Sequence, residues 1–114
     1  MALPEVDLAR ARRWVDDRNA EIGEHINEMR VEMDVDGRSM TILECRPPWR
    51  EDHGPEWSRQ PIARLRYTGT TGRWTLYWPD RNSKFHRYED LGSASTVAPL
   101  LREVDADPTC IFWG

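Results

Sequence analysis

Hydrophobic and polar positions change period along the chain, and each change marks an element. In "PEVDLARARRWVDDRNAEIG", residues 4–23, Leu8, Ala11, Val15 and Ile22 recur at helical spacing with Trp14 at the margin of their stripe. Pro4 suits a first helical turn, the early acidic residues complement the helix dipole, and Gly23 suits a C-cap. The pattern predicts a helix over residues 5–22. Arg12 with Asp16 and Arg13 with Asp17 stand at i,i+4 on its other side, where a solvated face is expected.

From Glu28 the period falls to two. Met29, Val31, Met33 and Val35 alternate with Glu28, Arg30, Glu32 and Asp34, the pattern of a half-buried strand. Asp36-Gly37 then favours a two-residue hairpin, because a type I′ turn needs positive φ at both central positions. A turn centred there sets Met33 opposite Met40 and Val31 opposite Ile42, so the apolar faces coincide. A second hairpin, "IARLRYTGTTGRWTLYW", puts Tyr67 opposite Trp74, Leu65 opposite Leu76 and Ala63 opposite Trp78 across "GTTG". Its other face shows Arg64, Arg66, Thr75 and Tyr77. Leu43, Cys45 and Ile62 fall on that outer face too, which favours some covering, and a face covered by the first helix is the reading that competes with an open one.

The turn "PDRNS" leads to a fifth strand, "KFHRY". A four-residue loop sets Phe85 beside Trp78 in the core, whereas a five-residue loop turns Phe85 outward and Lys84, His86 and Tyr88 inward. The first register is expected, since burying Lys84 carries a desolvation penalty. "STVAPLLREVDADP" reads as a short helix with Leu100, Leu101 and Val104 toward the sheet, and "IFWG" is expected to pack down after it. The fold class predicted is α+β, a five-stranded antiparallel meander with an N-terminal helix and a short C-terminal helix. A length of 114 residues fits a single domain over 1–114.

Charge changes this picture more than composition does. Charged residues make up 32% of the chain and apolar runs are short, so neither a transmembrane helix nor a secretory segment is expected, and the cytoplasm is the expected compartment. Cys45 and Cys110 then read as reduced thiols. A net charge of −4 argues against a general nucleic-acid binder, yet residues 46–88 hold nine Lys or Arg against four Asp or Glu.

In the favoured register Arg64, Arg66, Tyr77, Lys84, His86 and Tyr88 share the outer face. Cations there meet phosphates while aromatic rings offer planes for unpaired bases. The loop "RPPWREDHGPEWSRQ", residues 46–60, is long for a small domain and adds Arg46, Trp49, Arg50 and Trp57. Burial of both tryptophans against the core is the competing reading. The expected activity is non-catalytic binding of single-stranded nucleic acid or another polyanion. A protein partner, including a second copy in a homodimer, suits the same aromatic and arginine-rich surface. No membrane partner and no cofactor are expected.

Chemistry at a phosphodiester is a third reading, from Asp80, Arg81, Asn82, Lys84 and His86. "PD" followed by "SK" falls short of a metal-dependent nuclease arrangement, because Asn82 stands where a glutamate belongs, and Asp80-Arg81-Asn82 reads more simply as a turn. Cys45, His53, His86 and Cys110 lack the close paired spacings of structural zinc sites, so no metal site is predicted.

"ECRPPW", "GPEW", "WTLYWPDRNSKFHRY" and "DPTCIFWG" together resemble a family of small bacterial proteins known as a domain of unknown function, number three thousand and twenty-four. The resemblance runs from the first helix to the last residue. It implies a bacterial, cytosolic, stand-alone domain and carries over no activity.

Overall fold

A computed structural model describes residues 3–48 and 54–113. Helix α1 (Glu5–Ile22) runs into a 3₁₀ turn (Gly23–Asn27), and strands β1 (Arg30–Asp36), β2 (Ser39–Arg46), β3 (Ser58–Thr68), β4 (Arg73–Pro79) and β5 (Phe85–Arg87) follow before helix α2 (Ala98–Ala106). The strands form one antiparallel sheet in chain order, β1-β2-β3-β4-β5, so the fold is the α+β meander with a helix at each end.

Both helices pack on one side of the sheet, its inner face. Ala11 and Val15 of α1 and Leu100, Leu101 and Val104 of α2 share a core with Met40, Ile42, Leu65, Trp74 and Leu76. The stripe read from the sequence is therefore the buried one. The i,i+4 pairs are not: among the described residues neither Arg12 nor Arg13 closes on an aspartate, and Arg18 instead reaches Asp105 of α2 at 2.9 Å. Asp105 also accepts the Trp14 indole N–H at 3.0 Å. Asp7, buried at 7% exposure, accepts the Val97 backbone N–H at 3.1 Å and fixes the start of α1 to the start of α2. An aspartate so enclosed needs that donor.

Strand registers hold for one hairpin and shift in two others. β3 and β4 pair as expected, with Leu65 opposite Leu76 and Tyr67 opposite Trp74. β1 and β2 pair with Met33 opposite Ile42 and Val35 opposite Met40, two residues from the expected alignment. The turn is centred on Gly37-Arg38, and only Gly37 has positive φ, at 59°. That is the type II′ arrangement, in which one leading glycine suffices. A shift of two preserves the faces, so the core is unaffected.

β5 takes the register the sequence argued against: Pro79 pairs with Phe85, Trp78 with His86 and Tyr77 with Arg87. The penalty on Lys84 is not incurred, because the strand starts after it and Lys84 stays exposed. Tyr88 is the residue that goes in, 3% exposed, with its hydroxyl donating to Glu103 at 3.0 Å. Ile62 also departs from expectation. The pairing of β2 with β3 shifts between Ile42 and Leu43, and this bulge brings both Ile62 and Ala63 into the core.

Candidate functional site

The outer face of β3, β4 and β5 carries the strongest concentration of unspent recognition groups. Register places Arg64 beside Tyr77 and Tyr77 beside Arg87, a row across three strands. Arg66 stands one pleat along, opposite Thr75. Phe85, on the same side of β5 as Arg87, receives the Arg64 guanidinium over its ring at 3.9 Å from the centroid, while Arg64 Nε donates to Thr41 Oγ1 at 3.0 Å. Arg64 is thereby held in one orientation by a ring and a hydroxyl, which leaves its terminal nitrogens for a ligand. Arg66 and Arg87 are exposed, and among the described residues no carboxylate pairs with any of the three. Neither helix lies on this side.

The other half of the outer face is closed. Arg59 on β3 reaches across β2 to Asp34 on β1, donating at 2.8 and 3.0 Å, and touches Glu32 at 3.4 Å. Leu43 and Cys45 are buried at this end of the face, where the Arg30 guanidinium lies over the Trp57 ring at 4.1 Å. Leu43 and Cys45 are therefore covered at the end of the face where Arg59, paired with Cys45, bridges to β1 and Trp57 stacks on Arg30, and not by α1, which lies on the inner side. The Arg59 hydrogen bond holds the Asp34 carboxyl below its ordinary range, and the Arg30 hydrogen bond does the same for Glu32. Burial, with the Glu32 carboxylate nearby, pushes the Cys45 thiol up. A raised thiol is a poor nucleophile.

The residues singled out from the sequence therefore separate. Arg64, Arg66 and Tyr77 stay together on the open face. Lys84, His86 and Tyr88 leave it with the change of register, Tyr88 into the core and His86 to the far side of β5, its ring centroid 4.8 Å from that of Trp78. Arg46 ends β2 paired to Glu44 at 2.7 Å, away from the face, and Trp57 belongs to the closed half. Trp49, Arg50 and His53 lie outside the described residues. Phe85 and Arg87 were missed, and their signal was the five-residue loop that alternation along "KFHRY" left open.

The Asp80 turn does bring two of the third reading's residues together. Asp80 Oδ1 accepts the Asn82 and Lys84 backbone N–H groups at 2.8 and 3.0 Å, and Oδ2 meets His86 Nε2 at 2.8 Å. The His86 contact, followed by those backbone donors, lowers the Asp80 carboxyl. Both carboxylate oxygens are thus committed to organising the turn. Among the described residues no group of three His, Cys, Asp or Glu side chains could hold a metal ion, and no helix is long and apolar enough to cross a membrane.

A family model described as a domain of unknown function matches residues 2–114. The chain belongs to the DUF3024 family. No curated protein and no solved structure matches it. On this DUF3024 chain the open face thus brings three arginines, of which Arg64 is held in place, together with the rings of Tyr77 and Phe85, groups suited to anions and to flat rings.

Proposed function

We propose that this protein binds single-stranded nucleic acid on the outer face of β3, β4 and β5. The observation that carries the reading is the cross-strand row Arg64, Tyr77 and Arg87, with no carboxylate partner among the described residues on the side the helices leave free. Adjacent strands lie about 4.8 Å apart, so the row offers a cation, a ring and a cation across three strands, suited to phosphates flanking an unpaired base. The net charge of −4 does not oppose this. The acidic side chains on this face, Glu32, Asp34 and Asp36, sit on β1, two strands from Arg64 and Arg66. A duplex reader would need an element that enters a groove, and a flat sheet face suits a splayed strand better.

The test is anisotropy of labelled single-stranded RNA and DNA at low and physiological salt. Binding is expected to weaken with salt by about 0.7 log units per tenfold salt for each phosphate engaged. The Arg64→Ala/Arg66→Ala double variant should lose most of the affinity and flatten the slope, while His86→Ala, on the other side of β5, should leave it unchanged. Absence of binding at low salt, or equal loss from His86→Ala, would overturn the reading.

A second reading is a protein interface, favoured by Tyr77 and Phe85 half-buried beside arginines, the residue types interfaces concentrate. Association that persists in high salt and is lost in Tyr77→Ala/Phe85→Ala would select it.

A further inference from the structure

On the inner side of the sheet, where the end of α1, strands β1 and β2 and the C-terminal segment meet, lies a cavity of about 380 Å³. That volume falls at the small end of the range that holds metabolites, about 300–1,000 Å³. One wall is Trp113, and it is pinned. The Asp107 carboxylate accepts the Phe112 and Trp113 backbone N–H groups at 3.0 and 2.9 Å, and the Trp113 indole N–H donates to the Val104 carbonyl at 2.9 Å. The indole thus turns its polar edge inward and leaves ring surface for the cavity, with Ile22, Met29 and Val31 as further apolar lining.

Charge in the lining is balanced, two arginines against two glutamates. Arg46 Nε donates to Glu44 at 2.7 Å, and one terminal nitrogen lies 3.5 Å from the Met29 sulfur, which orients the guanidinium and leaves N–H donors over. Arg18 is already engaged by Asp105 at 2.9 Å and stacks 4.8 Å from the Trp113 ring. The Glu21 side chain is 72% exposed, and its one ion pair among the described residues is with Arg18, at 4.0 Å. It sits in the last turn of α1, which holds no basic residue, so the negative end of the helix dipole has no side-chain cation there. An anion alone would use only the N–H donors that Arg46 has left beyond Glu44, and a cation alone only Glu21 and the helix end. A ligand bearing both charges on an apolar body answers each.

We infer that this cavity binds a small zwitterion with an apolar side chain, a free hydrophobic α-amino acid, its carboxylate on Arg46, its ammonium at Glu21 beside the end of α1, and its side chain against Trp113. Glu44 acts as a positioning residue for Arg46. Because Val31 and Trp113 belong to the inner side, this site stands or falls independently of the outer face.

The experiment is calorimetric titration of the full chain with leucine and phenylalanine, with glycine, N-acetyl-leucine and leucine methyl ester as comparisons. Leucine and phenylalanine are expected to bind, glycine not to bind, and each blocked analogue to bind at least tenfold more weakly than leucine. Two exposed-site variants separate recognition from folding. Arg46→Gln should abolish discrimination against the methyl ester and keep discrimination against the N-acetyl compound, and Glu21→Gln should do the reverse. No heat with leucine or phenylalanine at millimolar concentration, equal binding of the blocked analogues, or variants that leave both discriminations intact would each overturn the inference.

Discussion

The side-chain amide of Asn19 satisfies both backbone groups of Val31, donating from Nδ2 to the carbonyl at 2.9 Å and accepting the N–H at Oδ1 at 2.8 Å. It stands where a neighbouring strand would stand. β1 is the edge of the sheet, and in an antiparallel strand alternate residues turn their backbone groups outward, so Met33 and Val35 face the same way as Val31. Among the described residues no side chain meets those two. β1 therefore leaves only a short free edge, as strands that avoid edge-to-edge pairing do.

Replacing the amide should cost stability and solubility together. Asn19→Leu strands a donor and an acceptor at a half-buried position and is expected to lower stability by about 1–3 kcal/mol, read as a fall in the urea midpoint. It also lengthens the free edge, so light scattering should report self-association that the parent lacks. Asn19→Asp keeps the acceptor for the Val31 N–H and should fall between the two. A monodisperse Asn19→Leu with an unchanged midpoint would contradict the role.

The register of β5 makes two aromatic residues of similar size unequal. Tyr88 is buried with Phe112, ring centroids 5.2 Å apart, whereas Phe85 lies on the outer face beneath Arg64. Tyr88→Ala is expected to cost about 3–5 kcal/mol in unfolding free energy. Phe85→Ala should cost less than about 1 kcal/mol, as a partly exposed side chain with a single cation–π contact does. The opposite order would mean that β5 sits one residue away.

Alkaline pH should expose the same burial. A tyrosine ionises near pH 10 when free, and in the folded chain burial, followed by the Glu103 carboxylate, pushes Tyr88 up to about 12. The fold favours the neutral phenol, so this stabilisation is whole below about pH 10 and is lost as pH rises from there through about 12. The loss amounts to on the order of 3 kcal/mol, since one unit of pKa is about 1.4 kcal/mol and the rise is about two units. Tyr88→Phe has no phenol to ionise, so its urea midpoint should decline less than the parent's across that window. Parallel declines would show that Tyr88 is not the group responsible.

How much of this was legible in the sequence depended on whether a local signal had a competitor. Helix α1 was bounded correctly because Pro4, the Leu8, Ala11, Val15 stripe and Gly23 all agree, and the β3–β4 pairing because apolar residues match at three successive positions. Asp36-Gly37 allowed two turns that preserve the same faces, so alternation had no means of choosing between them. At β5 the penalty on Lys84 looked decisive, but it presumed that Lys84 lies within the strand. The bulge at Ile62 leaves no period-two trace, and Arg59 reaches acids on β1 that are 25 and 27 positions away in sequence. Of the open face, Arg64, Arg66 and Tyr77 were readable from one hairpin, while Phe85 and Arg87 required a register that pattern alone did not determine.

A sheet whose spatial neighbours are also chain neighbours can zip up hairpin by hairpin, each step closing only a short loop. The first helix has no such freedom. Its seat is completed by Val97 at Asp7 and by Asp105 at Trp14 and Arg18, all supplied some 90 residues later. During synthesis α1 emerges well before α2, so its seat can first form only on the β1 side, through Asn19 at Val31, and stays incomplete until Val97 and Asp105 follow. On its other side Arg12, Arg13, Asp16 and Asp17 are exposed, so the half-seated helix already presents a charged face to water.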